Sequence, residues 1–295
     1  MRPGSSGAVA DGSLEVIVLG AAPSAPQPDG QGSGLLVRSR GTSLLLDIGV
    51  GVVPQLGRIM DPYALSAILV THFHADHYLD LVSYRYGLPW IGVTGERVPV
   101  LLPPGGRQQL EGLAAAICEG ADFFSRALDL CEYDPAASVD VGDLAVSFVP
   151  SQHYVDAWGV VVAGPGGHPR VVVSSDTGPN PALVEASRDA DLLVAEATLE
   201  HAAEDVQPRG HLTADEAVAI GREAGARRVL LTHLPTARRP ALRAAYTGIR
   251  PRVTVARPGL RITLTARSPH PAASAGRAVR PALPDDGGAA SGERP

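Results

Sequence analysis

Between His72 and His77 the chain reads HFHADH, and four of these six side chains are of metal-ligand type. The stretch follows Ala67–Thr71 (AILVT), a short apolar run with strand character. Residues two apart on an extended strand end point the same way, so His72 and His74 can grip one ion from one side. A turn at Ala75 brings Asp76 and His77 into the same cavity. Imidazole and carboxylate suit zinc, iron or manganese, and such groups are costly to bury together without a cation. The competing reading is a solvated histidine-rich turn. It fits poorly with a position directly after a buried strand, where loops carry function.

Three distant residues can complete such a site, each placed after another apolar run. His153 follows Ala145–Val149, Asp176 follows Arg170–Ser174 in SSDTG, and His233 follows Arg228–Thr232 in LTHLP. Singly they read as well as two turn histidines and a helix-capping aspartate. Together, at strand ends of a layered fold, they form a set.

The rest of the chain supports such a fold. Leu14–Leu19, Leu35–Val37, Ser43–Asp47, Val98–Leu102, Gly159–Ala163 and Leu192–Ala195 read as further strands. Helical patterns fit Val52–Ile59, Arg107–Cys118, Asn180–Ser187, Thr213–Ala224 and Pro240–Tyr246, and Thr213 with Glu216 makes a capping box. Some strands are apolar throughout, which predicts sheets covered on both faces. Residues 1–12 and 267–295 are Gly-, Ala- and Pro-rich without apolar period, so they are expected to be disordered around one body at 13–266.

Composition excludes several classes. The 295 residues carry a formal charge of −6, with nine histidines, two cysteines and no lysine. Two cysteines cannot build a disulfide framework, which favours a reducing, cytoplasmic setting. No run is long and apolar enough to span a membrane, and the first residues lack the apolar core of a secretory signal. The acidic balance disfavours broad nucleic-acid binding. The missing lysines rule out a lysine nucleophile or Schiff base.

The order HxHxDH, then His, Asp and His, each after a strand, resembles the metallo-β-lactamase fold superfamily over about residues 14–265. The resemblance implies an α/β fold, a four-layer αββα sandwich, with a dinuclear site along one edge of its sheets. It implies that His72, His74 and His153 hold one divalent ion, that Asp76, His77 and His233 hold a second, and that Asp176 bridges them. Zinc is the expected metal, with manganese or iron as alternatives, and a shared water or hydroxide would attack the substrate. The stretches DLLVAEATL (191–199) and RGHLT (209–213) further resemble the ribonuclease Z-like branch, which includes tRNA 3′-processing nucleases and phosphodiesterases of cyclic or small phosphodiesters. There Glu196 would orient His211, and His211 would stabilise or protonate the leaving oxygen; Asp76 joins these two in the catalytic set. The plainer reading makes Glu196 a helix cap and His211 a loop residue. Asp47, in LLLDIG, would stand behind the metal-binding loop and orient ligands, unless it is a simple turn aspartate. The Gly/Pro-rich loop 21–33 would lie at the mouth of the site.

Arg209, His201 and Tyr154 are candidate substrate contacts. Trp158 is a candidate for the pocket wall, although core packing is the commoner fate of tryptophan. Cys118, Cys131, His168 and His270 read as background. Two departures from the family pattern matter. Asp80 stands where many phosphodiesterases have glycine in HxHxDHxxG, and the stretch between Asp176 and His211 has no room for a basic tRNA-holding arm. The expected partner is therefore a small anionic substrate, with neither tRNA nor a membrane, and a homodimer is carried over from the family. The favoured reading is a dinuclear phosphodiesterase. The alternatives are a lactone, thioester or amide hydrolase on the same metals, and a non-enzymatic or redox role in which the site holds iron and binds without hydrolysing.

Overall fold

In the computed structural model, which describes residues 9–28, 32–92 and 95–265, the first half of the chain builds one sheet and the second half another. The first half runs β1 (Ser13–Gly20), β2 (Gly34–Arg38), β3 (Ser43–Leu46), α1 (Val52–Gly57), β4 (Ala67–Leu69), α2 (Ala75–Tyr78), α3 (Asp80–Tyr86), β5 (Pro99–Leu102), α4 (Gly106–Ala116) and β6 (Asp129–Glu132). The second runs β7 (Val139–Val141), β8 (Leu144–Pro150), β9 (Trp158–Ala163), β10 (Arg170–Val173), α5 (Pro181–Ala186), β11 (Leu192–Glu196), α6 (Ala214–Glu223), β12 (Arg228–Thr232), α7 (Arg239–Ala245) and β13 (Arg252–Val255). The last strand, β14 (Arg261–Thr265), returns to the first sheet beside β1. The sheet orders are β14-β1-β2-β3-β4-β5-β6 and β13-β12-β11-β10-β9-β8-β7.

Alternation along each strand sorts the side chains into layers. On β1, Leu14, Val16 and Val18 join Val146, Val160, Val171 and Val194 between the sheets. Ile17 and Leu19 point the other way, against Leu56 of α1, Leu81 of α3 and Leu110 of α4. On the far side, Val172, Leu193 and Val229 pack on Leu183 of α5 and Ala217 and Val218 of α6. This is the expected αββα sandwich, and it explains why central strands are apolar throughout: both faces are covered. Each fully buried aliphatic side chain contributes about 1.5–3 kcal/mol.

Four strands and two helices go beyond the sequence reading. β6, β7, β13 and β14 are short and lie at or beside sheet edges. α2 and α3 begin inside the ligand cluster, where polar residues mask any apolar period. At the N-terminus, residues 9–12, expected to be disordered, instead turn into β1: Val9 is buried and the Ala10 carbonyl accepts from Ser13 N. The expectations for 1–8 and 266–295, His270 included, lie outside the described residues. Among the described residues, no helix is long and apolar enough to cross a membrane.

Strand direction places the site. β3 to β6 are mutually parallel, as are β10 to β13. β8 is antiparallel to β9 and β9 to β10, so β8 runs with β10. The carboxyl ends of β8, β10, β11 and β12 therefore open on one edge of the second sheet, and the residues that follow β4 in the first sheet meet them there.

Candidate metal centre

At that edge the chain leaves its strands abruptly. Asp47 after β3, Ser175 after β10 and His233 after β12 all sit in the left-handed region, with φ of 59°, 53° and 51°. Non-glycine residues there are strained by roughly 1–3 kcal/mol each, and such strain persists only where surrounding contacts hold it. After β4 the chain stays extended to His74 and then turns into α2 at Ala75, as the sequence predicted. Asp76 lies in the first turn of that helix. Two segments clamp the turn from behind: Ile48 N, after β3, donates to the His77 carbonyl, and Ser33 N, before β2, donates to the Asp76 carbonyl. Gly49 is required for this approach, since a Cβ there would lie 1.8 Å from the Asp76 carbonyl oxygen.

The seven predicted ligands converge. One nitrogen or oxygen from each of His72, His74, His153 and Asp176 lies within 4.8 Å of the others, and the same holds for Asp76, His77 and His233. Asp176 stands between the two groups. Its Oδ2 is 3.9 Å from His72 Nε2 and 4.0 Å from His153 Nε2 on one side, and 3.4 Å from His77 Nε2 and 3.5 Å from His233 Nε2 on the other.

The outer atoms of these rings are tied down, which aims the inner ones. His77 Nδ1 lies 2.8 Å from Asp47 Oδ2, and Asp47 also accepts from Thr71 N and Thr71 Oγ1. His153 Nδ1 donates to the Gly210 carbonyl at 2.8 Å, and His233 Nδ1 to Thr198 Oγ1 at 2.8 Å. His72 Nδ1 lies 3.1 Å from Thr71 Oγ1. Such partners fix tautomer and ring orientation in metal sites. The inner His72 Nε2 is buried without a hydrogen-bond partner. A buried, unsatisfied imidazole nitrogen facing an aspartate and further imidazoles fits a divalent cation.

The electrostatics agree. Burial lowers His72, His74 and His153, the last to about 4, which leaves them in the neutral form that ligates. Burial also opposes charge on His77, but Asp176 and Asp47 outweigh it and raise this ring well above the ordinary value. His233 is raised in the same way, by Asp176 and Asp76. Asp176 is held well below the usual carboxylate range, since His233 and His77 outweigh its own burial. A field that keeps protons on two buried imidazoles also favours a bound cation.

Beside the ligands, His211 Nδ1 meets Glu196 Oε1 at 2.9 Å. Glu196, at the end of β11, is buried and accepts from Thr177 N, Thr198 N and Thr198 Oγ1. Burial lowers the His211 value, but the Glu196 hydrogen bond and charge overcome it and raise it to about 8. His211 lines a cleft of about 350 Å³ together with Asp76, Asp176, His233 and Tyr154. The Tyr154 hydroxyl donates to Asp205, and its ring forms part of the cleft wall.

Two candidate contacts are placed elsewhere. Arg209 is buried, and its guanidinium is engaged by both carboxylate oxygens of Glu216, at 3.1 and 2.5 Å, so it braces the α6 cap instead of facing the cleft. His201 is exposed at the start of a short turn and does not line the cleft. Trp158 packs against Tyr133 beside the intersheet core. Of the loop 21–33, Pro23 and Ser24 line the cleft. Asp80, the departure from the family pattern, accepts from Val53 N at 2.8 Å and so caps α1 from another element. Sequence reasoning does not single out Thr198 or Asp205. Thr198 sits in the quoted EAT stretch, which was its available signal; Asp205 has none.

An αββα sandwich with this histidine and aspartate set at its strand ends defines a metallo-hydrolase class. The beta-lactamase superfamily domain matches residues 42–234, and the chain belongs to that family. It is 32% identical over 275 residues to the ribonuclease Z of Myxococcus xanthus (strain DK1622), spanning 75% of this chain and 87% of that protein. It is 27% identical over 225 residues to the probable metallo-hydrolase YhfI of Bacillus subtilis (strain 168), spanning 75% of this chain and 87% of that one. The crystal structure of the Bacillus subtilis protein matches with a TM-score of 0.72 at 25% identity, over 85% of this chain and 99% of that chain.

Proposed function

We propose that this protein is a dinuclear metal-dependent phosphodiesterase acting on a small or cyclic phosphodiester. The observation that carries the reading is the Glu196–His211 pair, set against the ligand cluster in one cleft. His72, His74 and His153 would hold one ion, Asp76, His77 and His233 the other, with Asp176 shared. Bound there, two divalent ions supply Lewis acidity and an activated nucleophile at neutral pH.

The chain's own groups then divide the work. Glu196 fixes the His211 ring through Nδ1, leaving Nε2 for the substrate. A value of about 8 keeps His211 largely protonated at neutral pH, as an acid requires. As a water oxygen adds to phosphorus and the ester P–O bond breaks, the leaving oxygen takes the Nε2 proton. Tyr154 and Pro23 bound the space available to the leaving group.

The name of the Myxococcus xanthus relative supports phosphodiester chemistry. Transfer RNA is not the substrate we propose. The stretch from Asp176 to His211 is filled by α5, β11 and a short turn, without a basic arm, and the chain is acidic. A chain with only two cysteines supports a reducing, cytoplasmic setting.

The test is turnover by the zinc- or manganese-loaded protein. It should hydrolyse a cyclic nucleotide or bis(p-nitrophenyl) phosphate, and His211→Ala should lose about 10²–10⁴-fold while keeping its metal. Hydrolysis of lactone or thioester substrates that survives His211→Ala, without phosphodiester turnover, would replace this reading with the acyl one.

A further inference from the structure

Away from the cleft, five arginines converge on one concavity. Arg227 precedes β12, Arg243 lies on α7, Arg250 and Arg252 lead into and lie on β13, and Arg257 follows it. They line a cavity of about 650 Å³ that shares no lining residue with the cleft. Among the described residues, no aspartate or glutamate lines it, although the chain as a whole is acidic. Arg227 is 3.2 Å from Asp191 Oδ1. The other four make no side-chain hydrogen bond or ion pair to described residues. Charge on the edge strand β13 guards it against pairing; gathering five arginines from three segments, before β12, on α7 and around β13, is a different arrangement. Like charges in a concave, partly apolar setting raise the local field and concentrate anions. The chain has no lysine, so the number and placement of these cations, and not the choice of arginine, distinguish the concavity.

The rest of the lining narrows the ligand. Tyr246, with its hydroxyl held by Asp215, lines the cavity with Leu242, Ile249 and Val253. An aromatic ring beside aliphatic side chains suits a planar base, while guanidinium groups suit phosphate oxygens. The volume is that of a small-molecule pocket. We propose that this concavity binds a nucleotide carrying two or more phosphates, with the phosphates on the arginines and the base against Tyr246. The proposal is independent of the reading of the cleft.

The test is calorimetric titration of the full-length, metal-loaded protein with ATP, GTP, inorganic triphosphate and a short single-stranded RNA. Binding of a nucleoside triphosphate should weaken by about 30-fold or more in the Arg243→Ala/Arg252→Ala/Arg257→Ala variant. The cleft variant His74→Ala should retain it. Photolabelling with an azido-ATP should mark the 239–260 segment. All three substituted arginines are exposed, and circular dichroism of the variant should match the parent. The proposal fails if the parent shows no binding up to about 1 mM, or if the triple variant binds equally well. It also fails if label lands in the cleft, or if inorganic triphosphate or RNA binds more tightly than the nucleotides.

Discussion

His211 Nδ1 and Glu196 Oε1 stand 2.9 Å apart, and this contact leaves Nε2 as the ring nitrogen that is open toward the cleft. It also sets the pH response. His211 lies above the ordinary histidine value, at about 8, so its proton is present at neutral pH and is lost as pH rises through that value. Activity that needs the proton should fall on the alkaline side near pH 8. Glu196→Gln removes the charge that raises the ring, so the alkaline limb should move to lower pH and kcat should fall about 10²-fold or more. A pH–rate profile with an unmoved limb would show that Glu196 does not tune His211.

Asp47→Asn tests the support behind His77. Asparagine tolerates the left-handed backbone at this position, so the turn should survive. The substitution removes the carboxylate that His77 Nδ1 and Thr71 share. Affinity for the second ion should drop about 10–100-fold by competitive chelator titration. Unchanged affinity would mean that His77 is held by its other contacts alone.

Asp80→Gly restores the more common family residue and should be harmful here. It removes the acceptor for Val53 N at the start of α1. Loss of such a cap costs about 1 kcal/mol, which lowers Tm by a few degrees in a chain of this size. Metal content should not change, because the Asp80 carboxylate is hydrogen-bonded to α1 and not to a ligand side chain. A variant as stable as the parent would show that backbone contacts alone hold α1.

Much of the site was legible because the predicted ligands stand at or just beyond strand ends, and apolar strands declare themselves. Their distant members, His153, Asp176 and His233, became recognisable through order along the chain. Arg209 misled because proximity in sequence to His211 says nothing of side-chain direction; Glu216, the capping-box partner, recruits it first. Thr198 was hidden for another reason. A hydroxyl that accepts from His233 and donates to Glu196 looks, in sequence, like any threonine. β13 and β14 escaped because edge strands need only one apolar face and carry arginine on the other. The arginine concavity was illegible altogether, since its members lie on several separate segments and only the fold gathers them.

The reading of the cleft depends on seven side chains forming one two-ion site with Asp176 between its halves. Metal analysis of the purified chain after zinc loading tests this most directly. About two ions per chain are expected in the parent, and at most one in Asp176→Ala, with His72→Ala and His233→Ala each losing one from opposite halves. A parent that binds no stoichiometric metal, or an Asp176→Ala variant that retains both ions, would contradict it.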